Sequence, residues 1–343
     1  MTKTTAAKKK PAKRSTKETG KASTETVKVD LYQKITDKII TALDAGVRPW
    51  LKPWSAPGGA SAGMAIYPRR VTGQRYTGIN VVLLWAAAQE RGYTNPTWMT
   101  YNQARDLGGQ VRKGEKSELI VYASKFKKTE KDANGKDVER MIPFLKSYLV
   151  FNVEQIDGLP ERFYQKPAPA PATPAEEAKR VLERNAAVEK FFAATGAEVR
   201  HGGHRAFFSP HLDFIQMPQF DAFRDEESYY ATLGHEFVHW TGREDRLNRE
   251  FGKRFGDEAY AAEELVAELG SAFLCAILGL TPEVREDHAS YVASWLKVLK
   301  GDKRFIFTAA SLAQKAVDHL QEYSGSTIAP SEEEAEEVAD AAA

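Results

Sequence analysis

The first clear periodicity along the chain lies in VDLYQKITDKIITALDAG, where Ile35, Ile39, Ile40 and Leu43 recur at helical spacing and Gly46 ends the run. Pro49 and Pro53 in VRPWLKPW then exclude a continuous helix. GINVVLLWAAAQERGY predicts a second helix closed by Gly92, and TWMTYNQARDLGG a third closed by Gly108. Two apolar runs, SELIVYASKFKK and VERMIPFLKSYLVFN, flank Asn134 and Gly135 and predict a β-hairpin.

Periodicity breaks at KPAPAPATPAEE. Alternating Pro and Ala support neither helix nor interior strand and favour an extended spacer. The expected organisation is a first domain over 29–160, a linker over 161–176 and a second domain over 177–324. The second domain opens with a helix, AEEAKRVLERNAAVEKFFAATG. Short strands follow in AEVRHGGHRAFFSPHLDFIQMP, with Gly202 and Gly203 as the expected hairpin turn. Helical patterns then run through LGHEFVHWTG, EAYAAEELVAELGSAFLCAILG, HASYVASWLKVLKG and FIFTAASLAQKAVDHLQEYSG. Both halves mix helices and strands, so the predicted fold class is α+β in two domains, the second a small sheet followed by helices.

Composition narrows the setting. The chain has 343 residues and a formal net charge of +1. Its one cysteine, Cys275, excludes an internal disulfide and a cysteine-based zinc cluster, and suits a reducing cytoplasm. The longest apolar stretch, near AFLCAILGL, is too short to span a bilayer, so no membrane partner is expected. The near-zero net charge hides a basic tail over 1–28 and an acidic tail over 325–343, both too polar to build a core and expected to be disordered. The basic tail suits contact with nucleic acid, or simple solubilisation.

Candidate chemistry concentrates in HEFVH. His235 and His239 stand four residues apart, which puts both imidazoles on one helix face where a single cation can take both. Glu236 is placed to act as general base on a water at that cation. Glu264 and Glu268 share a face of the following helix, where one carboxylate can complete the site and the other can accept the spare N–H of a liganding histidine. Glu264 is assigned as ligand and Glu268 as the histidine's partner, the reverse being the alternative; Glu263 is expected to face solvent. Zinc is the expected metal, and an N/O site also accommodates manganese, iron or cobalt. Tyr291 is a candidate donor to a tetrahedral intermediate, or else a core tyrosine. The strand in RAFFSPHLDFIQMP could hold an extended peptide by main-chain pairing.

The first half carries a different signal. Arg69, Arg70 and Arg75 alternate with tyrosines, Tyr76 among them. Arg112, Lys113 and Lys116 follow, then Lys125, Lys127 and Lys128, with Trp50 and Trp98 nearby in sequence. Basic side chains track phosphates and aromatic rings stack on unpaired bases, so these are candidate contacts to single-stranded DNA. The alternative is aromatics in a core and charges on a solvated face.

ITDKIITALDAGVRPWLKPW, TGQRYTGINVVLLWAAAQERGY, WMTYNQARDLGGQVRKGEKS, LGHEFVHWTG, YAAEELVAELGSAFL and YVASWLKVLKGDKRFIFTAASLAQKAVDHL together resemble the ArdC-type antirestriction proteins of conjugative plasmids. The resemblance covers nearly everything between the tails. It implies a single-stranded-DNA-binding domain joined to a zincin-like metallopeptidase domain, and protection of incoming plasmid DNA from restriction. The family's metal motif carries over as His235, Glu236 and His239, and its carboxylate helix as Glu264 with Glu268. The implied partners are single-stranded DNA and a protein substrate such as a restriction-system component. The competing expectation is a DNA-masking protein whose metal is structural or regulatory. A nuclease is disfavoured, because two-metal sites need more aspartate ligands than the chain offers.

Overall fold

The computed structural model describes residues 30–51, 67–131, 136–164, 173–250, 258–280 and 289–325, together with residue 2. Both charged tails, most of the Pro/Ala stretch and the Asn134-Gly135 turn lie outside the described residues. The fold is α+β, as the pattern predicts.

The first half is organised by a four-stranded sheet of order β1-β2-β5-β4: β1 (Arg69–Arg70), β2 (Thr97–Thr100), β4 (Glu118–Lys131) and β5 (Asp137–Asn152). The predicted hairpin is β4 with β5, in antiparallel register from Glu118 opposite Val150 to Lys131 opposite Asp137. A small β3 (Gln110–Val111) pairs with β6 (Ile156–Asp157). Helix α1 (Leu31–Asp44) buries Ile35, Ile39 and Leu43 of the predicted stripe, with Ile40 half-buried at its margin. Helix α2 (Ile79–Arg91) packs against β4 and stops at Gly92, whose φ of 74° is the left-handed cap that glycine adopts without strain. Edge strand β4 leaves outward-facing peptide groups. The Asn80 side chain satisfies those of Val121, donating to its carbonyl at 2.8 Å and accepting from its N–H at 2.9 Å.

The third predicted helix is only half helix. Thr97–Thr100 is β2, and the helix proper is α3 (Tyr101–Asp106). Thr100 is the junction: its hydroxyl accepts from the Gln103 N–H, and the Gln103 side chain accepts from the Thr100 N–H. This capping box fixes the helix start after the strand.

The second half begins with α4 (Pro174–Ala193). Its sheet has the order β7-β9-β8, formed by β7 (Glu198–His201), β8 (Phe207–Ser209) and β9 (Phe214–Met217). Here the expected hairpin at Gly202 and Gly203 is corrected. β7 pairs in parallel with β9, and β8 pairs antiparallel with β9 on its other side, so the glycines lead away from β7 rather than folding a partner onto it. β8 is thereby an edge strand. The remaining helices are α5 (Glu226–Thr241), α6 (Glu258–Leu278), α7 (Ala289–Gly301) and α8 (Phe305–Tyr323).

The two halves bury one continuous core. Phe273 on α6, wholly buried, meets Tyr67 at 6.2 Å and Trp85 at 5.7 Å between ring centroids. Trp50 packs edge-to-face on Trp295 of α7 at 6.1 Å. Polar contacts stitch the same seam: the Thr36 hydroxyl donates to the Lys303 carbonyl at 2.7 Å, and the Tyr67 hydroxyl to Gln314 of α8 at 3.1 Å. From Leu31 onward the described residues form one compact unit.

A shared core predicts shared stability. Phe273→Ala should cost about 3–5 kcal/mol, read by chemical denaturation, with both halves lost in one transition. Two separate transitions, only one of them shifted, would show that the seam does not couple the halves.

Candidate metal centre

Helix α5 begins where Asp225 accepts a hydrogen bond from the Ser228 N–H, and it is buried almost from end to end. The four-residue spacing brings His235 and His239 onto one face, with their Nε2 atoms 3.1 Å apart. Glu264 of α6 faces the pair. Its Oε2 lies 3.6 Å from His235 Nε2 and its Oε1 3.6 Å from His239 Nε2. Among the described residues these three form the group whose ligand atoms converge tightly enough for an ion, all within 4.8 Å of one another.

The donor set fits a divalent cation. Ligand atoms on a tetrahedral metal with bonds of about 2.0–2.1 Å sit about 3.3–3.4 Å apart, close to the separations found here. Ring orientation points the same way. His239 Nδ1 lies 3.1 Å from Glu263, and a carboxylate can only accept, so Nδ1 carries a proton and Nε2 is the ring nitrogen turned to the triad. That nitrogen, His235 Nε2 and the Glu264 oxygens converge on one point, where a cation would fit. Burial raises the pKa of Glu264, but the adjacent histidines outweigh it and hold the carboxyl down at about 2. Glu264 is therefore an anion.

Around this triad the structure corrects two assignments. Glu268 does not reach a histidine. Its Oε1 accepts from Trp50 Nε1 and from Arg48, each at 3.4 Å, so it anchors the first half onto the helix that carries Glu264. The histidine's partner is Glu263, which is buried rather than solvent-facing. The reason is that α6 is enclosed on all sides from Glu263 to Cys275 and has no solvent face there. Glu263 is in turn held by Arg249, a residue that sequence reasoning misses. The guanidinium donates to both carboxylate oxygens, at 2.8 and 3.0 Å, to the Thr241 hydroxyl at 2.8 Å and to the Val238 carbonyl at 2.6 Å. Burial raises the Glu263 pKa, yet hydrogen bonds from His239 and Arg249 keep it below its ordinary value. The sequence offers no periodic signal for Arg249, since the chain must turn through Asn248, at φ 48°, to bring it beneath α5.

The approach of α5 to α6 depends on Gly270. A Cβ built there would lie 2.7 Å from Val238 Cγ2, whereas one at Gly234 meets nothing closer than 3.7 Å. The Ser271 hydroxyl, donating to the Ala231 carbonyl at 2.8 Å, pins the same crossing.

A cavity of about 390 Å³ opens over the triad. Glu236, between the two histidines on α5, lines it, as do Tyr260 and Tyr291, whose hydroxyls lie 3.2 Å apart. Tyr260 is a second residue that sequence reasoning misses, although its place one turn before Glu264 on α6 is readable; burial, then Tyr291 and Glu264, raise its pKa. The opposite wall is edge strand β8 with Phe207 and Phe208, flanked by His204 and Arg205.

The candidate DNA contacts separate into groups. Trp50 and Trp98 are each 1 % exposed and Tyr76 is buried, so these three are core and not stacking platforms. Arg112 is tied up locally by Glu115, Asp157 and the Glu154 carbonyl. Lys113 and Lys116 are exposed. Lys127 pairs with Glu139 at 2.6 Å; the side chains of Lys125 and Lys128 lie outside the described residues. Arg69, Arg70 and Arg75 cluster where β1 turns back, and among the described residues none has a carboxylate partner.

Comparison with known proteins finds relatives for both halves of the chain. Residues 29–151 match the family described as the N-terminal domain of anti-restriction factor ArdC, and residues 186–312 match the zincin-like metallopeptidase family. The chain is 42% identical over 296 residues to an uncharacterized protein, y4eC, of Sinorhizobium fredii, covering 85% of this chain and 91% of that one. It is 38% identical over 309 residues to a DNA primase, TraC, of Escherichia coli, covering 86% of this chain but only 27% of the primase. Crystal structures of the antirestriction ArdC protein from plasmid R388 share 44% identity and cover 86% of this chain and 98% of that one. The TM-score is 0.70 for the metal-free form and 0.67 for the Mn(II)-bound form.

Two substitutions test this construction. Glu263→Gln keeps the volume and one acceptor but loses the charge that orients His239; divalent-metal affinity, measured by competition with a chelating dye, should fall about 10–100-fold. Unchanged affinity would remove Glu263 from the site. Gly270→Ala should destabilise by about 1–3 kcal/mol through overpacking, while Gly234→Ala should be neutral or stabilising by up to about 1 kcal/mol. Equal effects at the two glycines would mean that helix approach is not limited at Gly270.

Proposed function

The chain belongs to the ArdC family of antirestriction proteins, and from that membership we propose that it protects incoming plasmid DNA in the recipient cell, binding it single-stranded and hydrolysing a peptide bond at the α5–α6 site. The observation that carries the hydrolytic reading is the convergence of His235, His239 and Glu264 with Glu236 in one cavity beside an edge strand. A surface helix with two solvated histidines would show none of these.

His235, His239 and Glu264 would hold the metal, zinc by the zincin likeness or manganese as in the related crystal structure. A divalent ion there supplies Lewis acidity to the scissile carbonyl and to the attacking water. The chain's own groups do the rest. β8 offers unpaired main-chain groups along which an extended peptide can add as a strand. Glu236 takes the proton from the attacking water and passes it to the leaving amine. Tyr291, with Tyr260 behind it at 3.2 Å, donates to the oxygen on which negative charge develops. A protein component of the restriction system is the substrate class that fits an antirestriction role.

The DNA-binding reading rests on the arginine cluster and on the kinship with a DNA primase. Three arginines that meet no carboxylate among the described residues keep their charge for an external polyanion.

The decisive comparison is plasmid transfer into a restricting recipient expressing either the wild type or Glu236→Ala at equal levels, with metal content measured on both proteins. Loss of protection with metal retained is the expected result, since removing a general base costs typically about 10²–10⁴-fold in rate. Full protection by the variant would move the function to DNA masking, with the metal in a structural or regulatory role.

A further inference from the structure

A second cavity, of about 370 Å³, lies on the seam between the halves. One wall is built by Arg70 and the turn into α2, a second by Tyr122 on the edge of β4, and a third by Phe307 and Lys315 of α8. Its lining is chemically one-sided. Two cations face it, and among the described residues no carboxylate does.

Arg70 is held in place without being neutralised. Its guanidinium carbon stands 5.4 Å above the Tyr76 ring, which is itself buried, and the Arg70 Nε–H finds no acceptor among the described residues. Lys315 is exposed on α8 and enters no ion pair among the described residues. A cation fixed by a ring rather than by a carboxylate retains its donors for a phosphate. Lys315 stands on α8 in the second half, just past the stretch that matches the metallopeptidase family, so an anion seated between these cations would touch both halves.

Tyr122 joins the cleft to the β4–β5 arm, whose other face supplies Val121, Ala123 and Leu145 to the same lining. Register puts Tyr122 opposite Lys146 and Ser124 opposite Phe144, so these four side chains share one face. On it the Tyr122 and Phe144 rings lie 6.4 Å apart, and Lys146 Nζ sits 5.6 Å from the Phe144 ring. Cationic groups leading onto spaced aromatic rings suit a flexible polyanion that carries flat bases. A rigid duplex, with its bases stacked inside, cannot use the rings.

We infer that single-stranded DNA lies across this seam, its phosphates between Arg70 of the first half and Lys315 of the second, and its bases along Tyr122 and Phe144. This rests on the DNA-binding reading above and gives it a place: the strand is held by both halves, not by the first domain alone.

The test is fluorescence anisotropy of a labelled oligo-dT strand against the full chain at several salt concentrations. The variants are Arg70→Gln, Lys315→Gln and the two combined, with Lys190→Gln on the exposed face of α4 as control and Lys315→Arg as rescue. Each cleft variant should bind about tenfold more weakly. The slope of log affinity against log salt should become shallower by about 0.7 for each phosphate that is no longer neutralised. Lys315→Arg should restore both. Wild-type affinity and slope in the combined variant, with the wild type binding well, would overturn the seam assignment and leave DNA binding to the first half. Absence of binding by the wild type at low salt would overturn the DNA reading and this assignment together.

Discussion

Three buried carboxylates on one helix set the terms for the rest of the molecule. Glu263, Glu264 and Glu268 lie within two turns of α6, in a segment where no residue reaches solvent. Placing an ionised carboxylate in such surroundings costs about several kcal/mol even after relaxation, so each must be met by a cation or by strong donors. Each draws in a different element. Glu263 takes Arg249 from the loop after α5, with the Nδ1–H of His239. Glu264 faces the two histidine Nε2 atoms and the position that a metal would fill. Glu268 takes Arg48 and Trp50 from the opposite half of the chain. One helix thereby dictates what orients His239, the closure of the candidate site and the docking of the two halves.

This explains which parts of the site are legible in the sequence. HEFVH is local, and helical spacing alone places His235 and His239 side by side. Glu264 follows from the same rule applied to the next helix. Glu263 does not, because periodicity assigns one inward face to a helix, and α6 has no outward face along this stretch. Its partner, Arg249, arrives by a loop with no repeating pattern. For Glu268, the expectation that a buried carboxylate needs a reason is right and the reason assigned is wrong, since the answer lies 218 residues away at Trp50. Long-range pairing of this kind leaves no trace in local spacing.

Aromatic residues show the same boundary. Composition places Trp50, Trp98 and Tyr76 among basic neighbours, and the structure uses all three as core. The rings that do line a basic surface, Tyr122 and Phe144, sit on alternate positions of the hairpin, where the sequence alone does not distinguish them from ordinary strand residues. Register is the missing quantity. Once Tyr122 is known to stand opposite Lys146, and Ser124 opposite Phe144, the face they share is determined. β2 hides inside the third predicted helix for a related reason: TWMTYNQ holds strand and helix with no break, and only the reciprocal hydrogen bonds of Thr100 and Gln103 mark the change.

The seam gives the two-part organisation a physical meaning. A Pro/Ala spacer ordinarily lets the domains it joins move independently. Here that freedom is cancelled by the packing of Phe273, Tyr67, Trp85, Trp50 and Trp295, by the Arg48 and Trp50 contacts to Glu268, and by α8. α8 packs on α6 and buries Ala309, Ala310, Ala313, Ala316 and Val317, small side chains that allow neighbouring helices to lie close. Its exposed side carries Lys315 at the cationic cleft, while α6 carries Glu264 at the candidate metal centre. Lys315 and Glu264 are therefore fixed relative to each other by a well-packed core, which does not deform gradually. Whatever is held at the cleft is held at a set position relative to the cavity over His235 and His239. A loosely tethered pair of domains could not impose that.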